Sequence, residues 1–206
     1  MSTDNKHKRS ICYNIYMTHH PNLKILAFVG LTGSGNTTAV KYMTEKDHPK
    51  VYFGGVVYEE MEKAGVEKGE QNEKTFRLKL REEHGPDVIV NKIIEQIEKL
   101  DEAGQHRIIA DGIYTWDEYK AMRHAFPGEL TVIATVTPRH LRYHRLADRT
   151  DDRPQTEAIS AERDRNEIET MQKGGPIAMA DFYVMNDGDI EKFYSSIDEI
   201  CHEIEF

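Results

Sequence analysis

The sequence predicts a three-layer α/β sandwich built around a parallel sheet. Three observations lead there: short apolar runs, most without polar alternation, amphipathic helical patterns between them, and a glycine-rich turn directly after the first run. A run that is apolar at every position suits a strand covered on both faces, as in a parallel sheet between helical layers. Strands alternating with helices imply βαβ crossovers, which complete such a sandwich.

The runs are Ile25 to Val29, Val51 to Phe53, Ile108 to Ala110, Thr131 to Val136 and Phe182 to Met185. The clearest helix follows Pro86, with Val88, Ile89, Ile93, Ile94, Ile97 and Leu100 on one face and Gly104 past its end. Another opens at Thr115, has Glu118 three residues on as a capping box, and stops at Pro127-Gly128. The last starts after Asp187-Gly188 and repeats Ile190, Phe193, Ile197, Ile200 and Ile204 on one stripe. Segments 55–85 and 139–175 are polar and helical, and are expected as inserts over the sheet edge.

A chain of 206 residues is long enough for one such domain with a substantial core. Residues 1–22 read as a flexible polar tail and 23–206 as the domain. A formal charge of −9 repels phosphate backbones and argues against bulk nucleic-acid binding. The two cysteines, Cys12 and Cys201, offer neither a disulfide framework nor a metal motif, so a cytoplasmic setting is expected. No apolar run approaches the ~20 residues of a membrane span.

The first run leads into chemistry. Lys24 to Thr38 reads strand, glycine-rich loop, helix, and Gly30, Gly35 and Thr37 match the phosphate-loop pattern G-x-x-x-x-G-K-[ST]. Asn36 stands where the lysine belongs. Glycines let backbone N–H groups converge on phosphate oxygens, and a helix beginning near Gly35 adds its positive dipole end. The cradle therefore comprises Gly30, Gly33, Ser34, Gly35, Asn36, Thr37 and Thr38, with the Thr37 hydroxyl placed to ligate Mg²⁺. Asparagine is shorter than lysine and neutral, so it can reach only something close, such as a loop carbonyl.

Two further signals fit the loop. Arg107 to Ala110 is a strand that ends in Asp111, and ligands of open α/β sheets sit beyond the carboxyl ends of strands. Asp111 can hold the Mg²⁺ shell or accept a proton; the plainer alternative is a turn aspartate before Gly112. Arg142, Arg145 and Arg149 fall at i, i+3 and i+7 on one helical face, with Arg163 and Arg165 following. Mobile guanidinium groups closing over a transferred phosphoryl group would stabilise it and exclude water. The alternative is a solvated face paired with Asp148, Asp151 and Asp152.

From residue 24 to 200 the chain resembles the dephospho-coenzyme A kinase and adenylate kinase-like nucleotide kinases, closest to an archaeal-type branch of them. The carriers are the phosphate loop, Leu80 to Asp87, Asp111-Gly112-Ile113, the Arg142 to Arg149 lid, Arg163-Asp164-Arg165, and Ala180-Asp181 through Asn186. The resemblance implies a P-loop NTPase fold with a five-stranded parallel sheet, a helical lid at about 139–175, and acceptor-side inserts. It implies MgATP as phosphoryl donor and Asn186 near the adenine. Tyr58 and Tyr114 stand where similar kinases carry arginine, which leaves Arg77 and Arg81 as candidates for the acceptor, or equally as a solvated face.

The expectation is ATP-dependent phosphoryl transfer to a nucleotide or nucleotide-like small molecule, impaired by Asn36. A non-catalytic nucleotide-binding pseudokinase is the alternative.

Overall fold

A computed structural model describes residues 20–149 and 155–206; most of the expected tail and a short piece of the expected lid lie outside them. Five strands form one parallel sheet in the order β2-β3-β1-β4-β5. They are β1 (Lys24–Val29), β2 (Lys50–Tyr52), β3 (Arg107–Asp111), β4 (Leu130–Val136) and β5 (Phe182–Met185). Four of them span an apolar run in full, and β2 spans its run up to Tyr52.

The central strand shows why those runs lack alternation. Ile25, Ala27 and Val29 point into one hydrophobic cluster, Leu26 and Phe28 into the other. On the second face lie α1 (Asn36–Thr44) and α9 (Ile190–Glu203), contributing Ala39, Val40, Met43, Phe193 and Ile197. The first face is covered by α2 (Phe53–Lys63), α4 (Val88–Glu102) and α5 (Trp116–Ala125). On α4, Ile89, Val90, Ile93 and Ile97 are buried, while Val88, Ile94 and Leu100 pack at the margin. Ile93 is wholly enclosed, so truncating it to alanine would cost ~2–5 kcal/mol.

The helix starts follow local rules. Thr115 Oγ1 accepts from Glu118 N at 3.1 Å while Glu118 Oε2 accepts from Thr115 N at 3.1 Å, the reciprocal capping box of α5. Asp189 caps α9 by accepting from Glu191 N at 3.0 Å.

Three expectations change. The run Val51 to Phe53 is strand only to Tyr52, because Phe53 already opens α2. Segment 55–85 is therefore not all polar insert: Val56, Val57 and Met61 are core, and α3 (Glu70–His84) is the polar covering helix, with Leu80 as its buried residue. Gly54 permits this tight entry, since a Cβ there would lie 2.5 Å from the Tyr52 ring. Third, the chain from His20 to Asn22, assigned to the tail, is engaged: His20 bonds Asp101 at 2.7 Å and Arg107 donates to Asn22 O at 2.6 Å.

The lid region holds α6 (Arg139–Ala147), α7 (Glu157–Glu169) and the short α8 (Gly174–Ala178). No helix of the described residues is long and apolar enough to cross a membrane.

Candidate functional site

A cleft of about 440 Å³ opens beyond the carboxyl ends of β1 and β3, where the sheet order reverses direction. Its floor is the loop between β1 and α1. Gly35 caps α1 at φ +110°, a conformation glycine adopts without strain, and its missing Cβ leaves room for the Asn186 amide. Gly30 runs so close to Thr135 that a Cβ would fall 2.6 Å from the Thr135 carbonyl oxygen.

Side chains brace this loop from behind. Ser34 Oγ and Thr135 Oγ1 are 2.8 Å apart, and Asn186 Nδ2 donates to Ser34 O at 2.9 Å. The Thr137 hydroxyl bridges Ser34 O and Asn186 O at 3.0 and 2.9 Å. Asn36 turns inward: its Nδ2 donates to Gly30 O at 3.0 Å, and its Oδ1 accepts from Thr135 Oγ1 at 2.5 Å. Both ends of the amide are thus spent holding the loop together, and neither offers charge to a ligand.

Asp111 ends β3 and lines the same cleft as Thr37. Burial raises its carboxyl above the ordinary aspartate value, and Lys50, with Nζ at 3.4 Å, opposes the shift. Beside it Tyr114 is raised further, first by burial and then by Tyr52 and Asp111. Among the described residues, no group of three or more His, Cys, Asp or Glu side chains is arranged to hold a metal alone. Thr37 and Asp111 do suit Mg²⁺, which is commonly held by one carboxylate and a hydroxyl while substrate phosphates complete its shell.

The cationic side of the cleft consists of Arg145, Arg149, Arg163 and Lys173, against Asp111 as its one acid among the described residues. In a chain of net charge −9 that is a local reversal of sign suited to an anion.

Comparison with known proteins gives the family and the fold. A family model described as an AAA domain matches residues 29–162. A UPF0200 protein of Thermococcus onnurineus is 33% identical over 182 residues, covering 87% of this chain and 97% of that one. Another, from Sulfurisphaera tokodaii, is 34% identical over 185 residues, with coverage of 88% and 98%. The chain belongs to the UPF0200 family. Among solved structures, TT1252 from Thermus thermophilus superposes with a TM-score of 0.58 at 13% identity, covering 88% and 97% of the two chains. A shikimate kinase from Bacteroides thetaiotaomicron gives 0.55 at 12%, covering 89% and 99%. These likenesses establish a P-loop kinase fold for this UPF0200 chain.

The residues singled out from sequence do not all converge. Gly33, Gly35, Asn36, Thr37, Thr38, Asp111, Arg145, Arg149 and Asn186 line the cleft, whereas Gly30 and Ser34 shape the loop from beneath. Asn186 lies under the loop and accepts from Arg145 at 3.3 Å. Arg142 departs most from a mobile lid arginine. It is 4% exposed, grips Asp164 through two bonds of 2.8 and 2.6 Å, and donates to Thr32 O at 3.0 Å. Arg81 is tied to the capping Glu118 at 3.2 Å, and Arg77 acts on Tyr52 and Tyr114 through its charge. Tyr58 packs against Tyr52 outside the cleft lining, with ring centroids 6.4 Å apart.

Two residues escaped the sequence reading in this UPF0200 fold. Glu167 on α7 accepts from Thr32 N at 3.1 Å and from Thr32 Oγ1 at 2.5 Å, and Lys173 meets it at 3.3 Å. Burial pushes the Glu167 carboxyl up, but Lys173, Thr32 and Arg163 outweigh it and hold the group below its ordinary value. The i, i+4 spacing of Arg163 and Glu167 was the available signal. Nothing local marks Lys173.

Proposed function

We propose that this chain binds MgATP in the cleft and transfers the γ-phosphoryl group to a nucleotide or nucleotide-like small molecule, slowly because of Asn36. The observation that carries the reading is one cleft lined by a glycine-rich loop, a strand-end carboxylate and four cations. Phosphoryl transfer asks the protein mostly for positioning and charge neutralisation, and these groups are of that kind. The P–O bond to the β-phosphate breaks as a bond from phosphorus to the acceptor oxygen forms, and negative charge spreads over the equatorial oxygens.

The loop N–H groups and the α1 dipole would hold the phosphates. Mg²⁺, held by Thr37 and Asp111, would neutralise charge between the terminal phosphates. Arg145 and Arg149 would face the transferred group, and Arg142 would act indirectly by fixing α7 to the loop through Asp164 and Thr32. With an alcohol acceptor Asp111 could also take the hydroxyl proton, a role its raised pKa favours.

A second reading, a nucleotide-binding pseudokinase, is favoured by one feature: the Asn36 amide is committed to Gly30 and Thr135. A coupled ADP-release assay over nucleoside monophosphates, nucleosides and dephospho-coenzyme A separates the two. Acceptor-stimulated release supports the kinase; tight nucleotide binding with no stimulation by any acceptor supports the pseudokinase.

A further inference from the structure

The loop lacks its lysine, yet the cleft holds a buried one. We propose that Lys173 is the phosphate-binding cation of this site, supplying from another part of the chain the ground-state contact that Asn36 cannot, while the rate loss from Asn36 stands. The proposal rests on the reading of the cleft as an ATP site. Its ligand class is the polyphosphate of a nucleotide.

Lys173 lines the same cleft as Asn36 and Thr37, although its side chain is only 5% exposed. Its backbone is fixed where α7 ends, with Lys173 N donating to Glu167 O at 2.9 Å. The ammonium lies 3.3 Å from Glu167 Oε2 and 5.3 Å from the centre of the Tyr114 ring. Glu167 is bonded in turn to the backbone and hydroxyl of Thr32, so Lys173 stands one carboxylate away from the phosphate loop.

Charge balance argues for a missing anion. Enclosing an ammonium is costly unless it is paired and hydrogen-bonded. Glu167 provides one partner, but it already accepts two bonds from Thr32 and meets Arg163 Nε at 3.4 Å. Two cations therefore share one carboxylate, and Asp164 is engaged by Arg142. An ammonium has three donors, and one contact to Glu167 leaves donors for phosphate oxygens entering the cleft.

The test is a double-mutant cycle read by calorimetry, with MgATP, MgADP and adenosine titrated into wild type, Lys173→Met, Asn36→Lys and the double variant. Lys173→Met is expected to weaken ATP and ADP about ten- to hundredfold, the range of a charge-assisted contact, and to leave adenosine unchanged. Asn36→Lys should help wild type by less than about fivefold and the Lys173→Met protein by about tenfold or more, because the two lysines would do one job. Equal gains in both backgrounds, or unaltered ATP binding by Lys173→Met, would overturn the proposal while leaving the ATP site standing. No ATP binding by wild type would overturn the site itself. Should Lys173→Met misfold with Glu167 left short of a partner, Glu167→Gln/Lys173→Met removes both charges, and the same comparison is made on it.

Discussion

Arg142 is the residue whose role most separates spacing from structure, and Arg142→Met is its test. Its guanidinium is nearly inaccessible and makes three bonds, two to Asp164 and one to Thr32 O. Tyr143 gives Asp164 one more bond, at 3.0 Å, which does not neutralise the carboxylate. Removing one partner of a buried ion pair strands the other charge and costs ~3–5 kcal/mol. At about 2–4 °C per kcal/mol for a chain of this size, the melting temperature should fall by roughly 6–20 °C. Asp164→Asn in the same background should recover part of that loss, because no charge is left stranded. Differential scanning calorimetry of the three proteins reads this directly. A mobile lid arginine predicts the opposite pattern, with melting unchanged and kcat reduced. Unchanged melting in Arg142→Met would refute the clamp.

Other consequences follow from the same geometry. Burial raises the Asp111 carboxyl, so its contribution to stability is fullest below the unfolded value of 3.8 and is lost as pH climbs through the folded value. Asp111→Asn should therefore melt no lower than wild type at pH 7, with any advantage fading toward pH 4, while phosphoryl transfer drops by ~10²-fold or more; thermal scans across pH and the ADP-release assay check both. Gly35→Ala, at φ +110° and against the Asn186 amide, should cost ~1–3 kcal/mol and abolish ATP binding, as measured by melting and calorimetry. Hydrogen exchange in α7 should slow when MgATP is added, since that helix reaches the loop through Glu167 and Asp164; identical exchange with and without nucleotide would remove its role as a lid.

Most of the frame was legible because both faces of the central strands are covered, whereas β5 at the edge exposes Tyr183 and Met185. Apolar runs that mostly lack alternation point to such a sheet once a glycine loop follows the first. The start of α2 was not legible: Val51 to Phe53 is too short for periodicity to divide, and Gly54-Gly55 are poor helix formers. Packing on the Tyr52 ring overrides that preference. The inward turn of Asn36 was readable from its length, since a short amide reaches only the loop carbonyl. The fate of Arg142 was not, because spacing puts three arginines on one face but cannot show that Asp164 waits 22 residues later. Lys173 and Glu167 belong to the same class. Glu167 meets Thr32 across 135 residues, its one local sign being the i, i+4 spacing to Arg163, and Lys173 reaches the loop only through Glu167.

Whether this cleft is a MgATP site is decided by one titration. ATP is added to the wild-type chain by calorimetry with and without Mg²⁺, beside Gly35→Ala and Thr37→Ala. A MgATP site gives one ATP per chain, tighter binding with Mg²⁺, loss of binding in Gly35→Ala, and loss of the Mg²⁺ effect in Thr37→Ala. No binding at millimolar ATP, or binding indifferent to both substitutions, would contradict it.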